Sequence, residues 1–437
     1  MQLDTTSRPA AAGPLSTAEF WDWLAVRAAS TKFTVDRIAL DELDEWSTDP
    51  ATGDIGHRSG RFFTVQGLHV KTERGPVSEW TQPIINQPEV GILGILVKRF
   101  DGVLHCLMQA KVEPGNINVL QLSPTVQATR SNYTRAHRGS AVRYLEYFTK
   151  PRAGNIVVDV LQSEHGSWFL RKRNRNMVVE VTGDVEVSDD FCWLSLHQLG
   201  ELMQSDNLVN MDARTVLSCL PLVPAGGGDP ATQSWFTEVC AMHDVRTEQV
   251  ALADLEGWER HPDEIRHAEG LHFKVIAVRV SANSREVSGW TQPMFQPCGR
   301  GVVAFLVKRI DGVLNVLAHA RAEPGFVDVV EIGPTVQFQP SSYPGGWHPP
   351  FAGHVLDAPP ERILFDRVHS EEGGRFYHAE NRYLVVELGA DEDPGPLPED
   401  YRWLTVRELG NLVAHRNYMN VQARTLVSVL HLTLGLA

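Results

Sequence analysis

Cysteine is scarce in this sequence, and its cysteines do not form the pairs that metal sites or disulfide frameworks use. The five cysteines among 437 residues are odd in number and widely spaced, and no two of them form a CxxC motif. Disulfide-rich domains and zinc ribbons depend on such pairs. We therefore expect free, buried thiols.

Long apolar segments and an excess of basic residues are also missing. The longest aliphatic run, residues 91–97, is far shorter than a membrane-spanning helix, and residues 1–20 contain no signal-peptide pattern. Lysine and arginine number 40 against 54 acidic residues, which gives a net charge of −14. Binding to nucleic acid or membrane surfaces requires a basic field. We therefore expect a soluble, cytoplasmic protein with neither a nucleic-acid nor a membrane partner.

Common catalytic motifs are absent as well. We find no GxGxxG after a strand, no P-loop, no HExxH, no GxSxG and no EF-hand loop, so common cofactor-dependent and hydrolase classes have no local support. The spacing of His261, His267 and His272 matches no metal motif, which favours a polar loop. We expect neither a cofactor nor a metal.

What the sequence does contain is an internal repeat at an offset of 210 residues. Residues 91–127 and 301–337 align without gaps and share 19 of 37 positions, and residues 191–220 and 401–430 share 12 of 30. Between the copies lies a Pro- and Gly-rich segment, residues 221–230. We expect two domains, residues 15–220 and 231–434, each with a core of its own.

Each copy has the pattern of an α+β domain. A capping box at Ser16 and Glu19 begins a helical segment, and Asp101-Gly102 joins two apolar strands in a predicted hairpin. Two helical segments near 195–204 and 211–220 close the copy, the second predicted to be capped by Asn210. Helices before and after a β-rich centre predict an α/β/α layered arrangement.

Polar residues in the central strands indicate a possible site. Strand alternation places Gln109, Lys111 and Glu113 on one face, and Asn116 follows in the next turn. The second copy keeps a cation and a carboxylate at Arg321 and Glu323. The alternative is a sheet edge with a surface Lys–Glu pair.

A long polar segment follows, and it suits a phosphorylated, hydroxylated ligand. Arginine binds phosphate oxygens, while hydroxyl and amide groups bind sugar hydroxyls or base edges. An ordinary surface loop is the alternative. In the second copy both arginines are lost. The candidate ligands in the first copy are Ser123, Thr125, Gln127, Arg130, Asn132, Tyr133 and Arg135.

Two further features bear on ligand binding. Residues 171–175 form the strongest positive run, with Arg173, Asn174 and Arg175 as candidate diphosphate ligands; a solvated strand is equally compatible. Trp80 and Trp290, each before Thr-Gln-Pro, are candidates to stack on a nucleobase or to be core residues. Since the second copy is nearly neutral at the positive run, the first copy is the expected working pocket.

These strings together resemble the NDP-hexose 2,3-dehydratases of deoxysugar biosynthesis. The resemblance covers nearly the whole chain and includes residues 80–83, 91–98, 109–116, 123–133, 173–177 and 210–215, with 370–377 similar to the family's C-terminal half. It implies a homodimer of tandem Nudix-like domains, each with a pocket for a dTDP-4-keto-6-deoxyhexose and only one catalytic. The magnesium-binding string of Nudix hydrolases is absent after Glu113 and Glu323.

The resemblance also implies a reaction. A base removes the C3 proton, which the C4 ketone acidifies, and a general acid assists departure of the C2 hydroxyl, so that a 3,4-diketo-2,6-dideoxy sugar results. We expect His57 or Glu113 as the base and Lys111 near the developing oxyanion. His57 recurs as His267, so a shared structural role is the alternative.

The resemblance assigns the remaining candidates to two pockets, one for each copy. Alternatives to the dehydratase are a silent sugar-nucleotide-binding protein and a Nudix-like hydrolase. The first pocket adds Trp80 and Gln82 to the ligands above. The second pocket comprises Trp290, Gln292, Arg321, Glu331, Thr335, Gln337, Tyr343, Glu372 and Arg375.

Overall fold

The computed structural model describes residues 13–129, 142–149, 154–222, 229–283 and 287–436. Within these ranges each copy contributes twelve strands. In the first copy, β1 to β12 are Phe33–Ile38, Trp46–Thr48, Ile55–His57, Thr64–Thr72, Glu79–Asn86, Gly91–Phe100, Val103–Val112, Leu120–Ser123, Val126–Ala128, Asn155–Ser163, Arg173–Glu180 and Phe191–Ser195. In the second copy, β13 to β24 are Val245–Val250, Trp258–Arg260, Glu264–His267, Phe273–Ala282, Gly289–Pro297, Gly301–Ile310, Val313–Ala322, Val330–Gly333, Val336–Phe338, Ile363–Ser370, Glu380–Glu387 and Tyr401–Thr405.

Helices flank the strands in both copies. Ser16 Oγ accepts a hydrogen bond from the Glu19 backbone N–H and Glu19 caps in return, so the predicted capping box begins the first helix. Asn210 caps its helix as predicted, through the Ala213 N–H. The α-helices α1 to α8 are Thr17–Ser30, Glu146–Thr149, Leu196–Leu202, Met211–Ser218, Pro230–Met242, Ala352–Leu356, Val406–Val413 and Val421–Ser428.

A seven-stranded mixed sheet forms the centre of each copy. In the first copy its order is β10-β11-β6-β7-β12, with β8 and β9 pairing β7 and β6. Asp101 and Gly102 both have positive φ, which confirms the predicted hairpin between β6 and β7. The second copy repeats this sheet with β18 to β24. The fold is therefore mixed α+β, dominated by sheets, in two similar halves.

Two smaller five-stranded sheets mix strands from both copies. Strand β1 of the first copy pairs β16 of the second, while β13 of the second pairs β4 of the first. Each exchanged strand covers an edge that would otherwise leave backbone N–H and C=O groups unpaired. The expectation that each copy forms a core by itself therefore needs correction, because part of each copy's sheet structure comes from the other.

The centre of the molecule is held by two reciprocal buried arginines. Arg214 on α4 donates from Nη2 to the carbonyl of Ser370 at 2.7 Å and from Nε to Thr425 at 3.3 Å. Arg424 on α8 donates from Nη2 to the carbonyl of Ser163 at 2.5 Å and from Nε to Thr215 at 2.6 Å. Each arginine thus anchors the end of a strand in the opposite copy.

The cysteines and helices agree with the composition. All five cysteines are free, and Cys106, Cys192 and Cys219 are buried. Across the described part of the chain, the helices are too short or too polar to cross a bilayer.

Glu331 was predicted to line the second pocket, but the structure places its side chain in the core. Its carboxylate accepts a hydrogen bond from Ser163 Oγ at 2.5 Å, and its side chain is inaccessible to solvent. Burial raises the pKa of Glu331 to about 8. The first copy has Gln121 at this position, and Gln121 accepts from Ser370 Oγ at 2.9 Å.

We expect Glu331→Gln to stabilise the protein above pH 8 relative to wild type. The unfolded glutamate, with a pKa near 4.3, loses its proton before the folded one, so wild-type stability falls between about pH 4.5 and 8. Thermal melting at pH 5 and pH 8.5 should show a difference in unfolding free energy that grows by about 1.4 kcal/mol per pH unit up to the folded pKa, or roughly 4 kcal/mol in all. Gln121→Glu should introduce the same pH-dependent loss, whereas a pH-independent difference would contradict the buried, protonated glutamate.

Candidate functional site

Two cavities lie between the copies. The first, of about 1020 Å³, contains Lys111 and Glu113, and the second, of about 1310 Å³, contains their counterparts Arg321 and Glu323. Both cavities are lined by residues from both copies. The sequence predicted one pocket within each copy, but each cavity is formed by both copies.

Backbone turns of the two copies pack closely against each other beside the cavities. The Gly115 N–H donates to the Gly373 carbonyl at 2.7 Å, and the His378 N–H donates to the Gly115 carbonyl at 2.8 Å. Gly325 makes the equivalent contact with the Gly166 carbonyl at 2.7 Å. Glycine is required at position 115 because an added Cβ would lie 1.7 Å from the Phe376 carbonyl oxygen.

Consecutive residues after the anchored strands face opposite cavities. Glu164 lines the first cavity and His165 the second. In the other copy, Glu371 lines the second cavity and Glu372 the first. In each of these two segments, adjacent residues therefore line different cavities.

The structure corrects the predicted division of residues between the two pockets. Trp80 and Gln82, predicted for the first pocket, line the second cavity. Trp290 and Gln292 line the first cavity, where Trp290 Nε1 donates to Gln292 Oε1 at 2.8 Å. Each tryptophan therefore lies in the cavity whose charged pair comes from the opposite copy. Glu372 and Arg375, predicted for the second pocket, also belong to the first cavity.

Lys111 and Glu113 occupy the centre of the first cavity. Lys111 Nζ lies 3.8 Å from Glu113 Oε1, which accepts a hydrogen bond from Gln127 Nε2 at 2.8 Å. Both charged side chains are almost fully buried. Their shared face on and after β7 was predicted, although Gln109 does not line the cavity and lies opposite Phe191 on β12.

Three more carboxyl groups surround this pair: Glu164, Asp212 and Glu372. Burial, and then the charge of Glu113, raises the pKa of Glu372 to about 7. Burial, followed by the charges of Glu164, Glu113 and Glu372, raises the pKa of Asp212 well above its usual value. Burial and the neighbouring acids therefore favour the protonated forms of Glu372 and Asp212.

Lys172 and Asn174 form one wall of the cavity. Lys172 Nζ donates to the Glu89 carbonyl at 2.5 Å and to Asn174 Oδ1 at 2.8 Å. Asn174 Nδ2 donates in turn to Glu164 Oε1 at 2.6 Å. Burial lowers the pKa of Lys172 to about 8, against the charge of Glu164. This chain of hydrogen bonds orients Glu164.

The positive run is divided by the alternation of β11. Lys172 and Asn174 face the cavity, whereas Arg173 lies outside its lining. Arg175 Nε and Nη2 donate to the two carboxylate oxygens of Asp159, at 2.6 and 2.5 Å. The prediction that Arg173 and Arg175 bind diphosphate in this cavity thus needs correction. Among the described residues, the arginines that line the cavity are Arg61, Arg279 and Arg375.

His57 lies on the wall of the first cavity, with its ring against Trp46 and Phe62. Its Nδ1 is 2.7 Å from Ser59 Oγ, and its Nε2 is 3.5 Å from Glu45. Burial lowers the pKa of His57, so the ring is neutral at pH 7. Both ring nitrogens face residues of the local turn.

Ion pairs occupy the second cavity. His165 Nε2 lies 2.7 Å from Glu371 Oε2, and Arg321 Nε donates to Glu323 Oε1 at 3.0 Å. Burial alone would lower the pKa of His165, but the hydrogen bond and charge of Glu371 raise it. Gln337 and Tyr343 line this cavity, as predicted for the second pocket.

Several predicted ligands have structural contacts instead. Thr125 Oγ1 donates to the Leu107 carbonyl at 2.5 Å, and Thr335 makes the equivalent bond to Leu317. Ser123 Oγ donates to Gln127 Oε1 at 3.0 Å, and Asn116 Nδ2 to the Val119 carbonyl at 3.1 Å. These groups support the turns around the cavities. Arg130, Asn132, Tyr133 and Arg135 lie outside the described residues.

Among the residues of the first cavity that were not predicted from the sequence are Glu164, Lys172 and Asp212. Their counterparts in the second copy are Glu371, Ala379 and Gln422, given the matching strand registers and helices. Lys172 and Asp212 are positions where the copies differ in chemistry. A comparison of the copies for lost ionisable groups, rather than for shared residues, would have selected these two.

Comparison with known proteins gives a consistent result. A family model described as NDP-hexose 2,3-dehydratase matches residues 17–220 and 229–430. Three relatives carry the name dTDP-4-dehydro-6-deoxy-alpha-D-glucopyranose 2,3-dehydratase. The relative from Saccharopolyspora spinosa is 50% identical over 96% of this chain and 92% of its own length. The relative from Streptomyces violaceoruber is 52% identical over 94% of this chain and 96% of its own length. The relative from Amycolatopsis orientalis is 51% identical over 94% of this chain and 89% of its own length.

We expect Gly115→Ala to destabilise the fold and damage the first cavity. The added methyl group would collide with the Phe376 carbonyl and separate the turns that join the copies. Chemical denaturation should show a loss of roughly 2 kcal/mol or more. Gly183→Ala, where the added carbon meets nothing within 4 Å, is the control and should change stability by less than about 0.5 kcal/mol. Equal stability of the two variants would contradict the close packing of the turns.

Proposed function

Because the chain belongs to the NDP-hexose 2,3-dehydratase family, we propose that it dehydrates dTDP-4-keto-6-deoxy-D-glucose across C2 and C3. The near-full-length relatives bear the name of this activity. The product is a dTDP-3,4-diketo-2,6-dideoxyhexose, formed when the first enol product ketonises. The enzyme is a hydro-lyase of deoxysugar biosynthesis.

The cluster of carboxyl groups around Lys111 is the observation that supports this chemistry. The elimination needs a base for the C3 proton, an acid for the C2 hydroxyl and a positive group near the C4 oxygen. In the first cavity Glu113 accepts a hydrogen bond from Gln127, Lys111 lies beside Glu113, and the other buried carboxyl groups are candidates for the acid. All three functions are thus available within one cavity.

We assign the base to Glu113 rather than to His57. Glu113 is buried next to Lys111, and the Gln127 amide orients its carboxylate. The nitrogens of His57 face Ser59 and Glu45 in the local turn, which is consistent with a structural role shared with His267. Lys111 is then placed to stabilise the enolate oxygen that develops at C4.

The first cavity is our choice for the reaction. In the second cavity the corresponding cation and carboxylate, Arg321 and Glu323, are hydrogen-bonded to each other at 3.0 Å. His165 there pairs with Glu371 at 2.7 Å, where the first cavity has two carboxyl groups, Glu372 and Glu164. Because its charged groups already have partners, we propose that the second cavity binds a sugar nucleotide without reacting.

Other expectations stay predictions. These are the Nudix-like layering of each half, assembly as a homodimer, a cytoplasmic location and a role in antibiotic biosynthesis. The silent binding protein and the hydrolase are the alternatives that the following experiment distinguishes from the dehydratase.

The direct test is incubation with dTDP-4-keto-6-deoxyglucose in deuterated water, without added metal or nicotinamide. Mass spectrometry of the nucleotide sugar should show loss of one water, with solvent deuterium at C2 after ketonisation. Release of dTMP or dTDP would instead indicate a hydrolase. Recovery of the unchanged sugar would contradict the proposed function.

We expect Glu113→Gln to lower turnover by about 10²-fold or more, because an amide cannot accept the C3 proton. His57→Asn should have a much smaller effect. Steady-state kinetics would compare both with Glu323→Gln, which makes the same change in the second cavity and should retain most of the turnover. A larger loss for Glu323→Gln than for Glu113→Gln would move the reaction to the second cavity.

A further inference from the structure

Asp212 is a buried acid that points into the first cavity and has no assigned role so far. It lies in the first turn of α4, next to the helix cap Asn210, and lines the cavity together with Lys111 and Glu113. Only 3% of the residue is exposed. Its side chain therefore reaches the site from the helix layer, opposite the turn that carries Glu372.

Two acids of the cavity, Asp212 and Glu164, each have a buried carboxyl oxygen without a hydrogen-bond partner. Asp212 Oδ1 is buried and has no hydrogen-bond partner. Glu372, in contrast, uses both oxygens to accept backbone N–H groups of Gly374 and Arg375, each at 2.8 Å. Glu164 accepts from Asn174 at Oε1 only, at 2.6 Å, but its carboxyl group is retained in the second copy as Glu371, whereas Asp212 has no acidic counterpart there. A buried polar atom without a partner is costly and calls for an explanation, of which a catalytic role is one.

The charges around Asp212 favour its protonated form when the cavity is empty. Glu164, Glu113 and Glu372 are its acidic neighbours, and Lys111 is the opposing cation. Ionisation of Asp212 would add another negative charge to a buried acidic group. A protonated carboxyl group is a hydrogen-bond donor, which suits a leaving hydroxyl.

The second copy provides a natural comparison. Its helix α8 begins with the same cap, Asn420, and has Gln422 where α4 has Asp212. Gln422 lines the second cavity and is also buried. The backbone that positions the side chain is thus retained, while the ability to donate a proton is lost in the cavity that we propose to be unreactive.

We propose that Asp212 is the general acid that protonates the C2 hydroxyl as it leaves. This proposal rests on the proposed dehydratase function. Glu113 takes the C3 proton, and the electron pair of that bond forms an enolate with the C4 carbonyl. Collapse of the enolate forms the C2–C3 double bond and breaks the C2–O bond, while the leaving hydroxyl takes the proton of Asp212 and departs as water.

The charge left behind has a stabilising environment. After donating its proton, Asp212 is a carboxylate in the first turn of α4, where the helix dipole favours negative charge. The enol product then ketonises, gains a proton at C2 and releases the proton of its C3 hydroxyl. The protons of Glu113 and Asp212 return to their starting states by exchange with water, so the net change is loss of one water.

The test separates proton abstraction from departure of the hydroxyl. In deuterated water, Asp212→Asn should lower product formation by about 10²-fold or more, yet the recovered dTDP-4-keto-6-deoxyglucose should gain deuterium at C3. Glu113→Gln should lose both the exchange and the product. Mass spectrometry and proton NMR measure both readouts, and a sample without enzyme corrects for spontaneous exchange.

Asp212→Gln is the second variant, because α8 shows that glutamine is accommodated at the corresponding position. Asp22→Asn, which removes an exposed carboxylate from α1, is the charge control and should keep wild-type turnover. Melting curves and dTDP binding confirm that each variant is folded and able to bind.

Three outcomes are informative. Near-normal product formation by both Asp212 variants would overturn the assignment, and so would loss of C3 exchange together with product in a folded, dTDP-binding variant. Exchange without elimination would support it. If the wild-type protein forms no product, the proposed function itself fails, which is a different result from normal activity in the variants.

Discussion

Two buried arginines determine how the rest of this protein can be arranged. A guanidinium group removed from water must find hydrogen-bond acceptors, and Arg214 and Arg424 each find one at a strand end in the opposite copy, the carbonyls of Ser370 and Ser163. Each arginine therefore depends on the opposite copy for part of its hydrogen bonding. The anchored strand ends lead directly into the segments that begin with Glu164 and Glu371, so this reciprocal contact positions the wall between the two cavities.

Duplication has preserved the frame of the cavities while their side chains diverged. The backbone contacts around Gly115 recur around Gly325, and both cavities retain a cation, a carboxylate and a glutamine, Gln127 or Gln337. The ionisable groups differ. In the first cavity Asp212 and Glu372 are acids, while Gln422 and His165 stand at the equivalent positions of the second. A symmetric scaffold thus supports an asymmetric distribution of protons, which is what division into a reactive and a binding cavity requires.

Much of the local structure was predictable, and the reasons are short-range. The Asp101-Gly102 hairpin and the caps at Ser16 and Asn210 each depend on a few neighbouring residues. Strand alternation brought Lys111 to the correct face, with Glu113 just beyond the strand end. The same local reasoning was wrong for Arg175, because the partner that holds its side chain, Asp159, lies on another strand. Residue type and charge do not indicate where such a partner will be.

By itself, the sequence determined that this protein is a duplicated α+β chain related to sugar-nucleotide dehydratases. Internal repeats and family motifs are properties of the residue order, so they can be recognised without a structure. Only the tertiary structure decided which residues share a cavity. Trp290 lines the cavity that contains Lys111, and Trp80 lines the cavity that contains Arg321, in a molecule whose β1 and β13 each pair with the opposite copy. Those pairings join residues about 175 to 250 positions apart along the chain. They satisfy backbone groups at sheet edges, a requirement common to both copies, so no local pattern distinguishes pairing within a copy from exchange between copies.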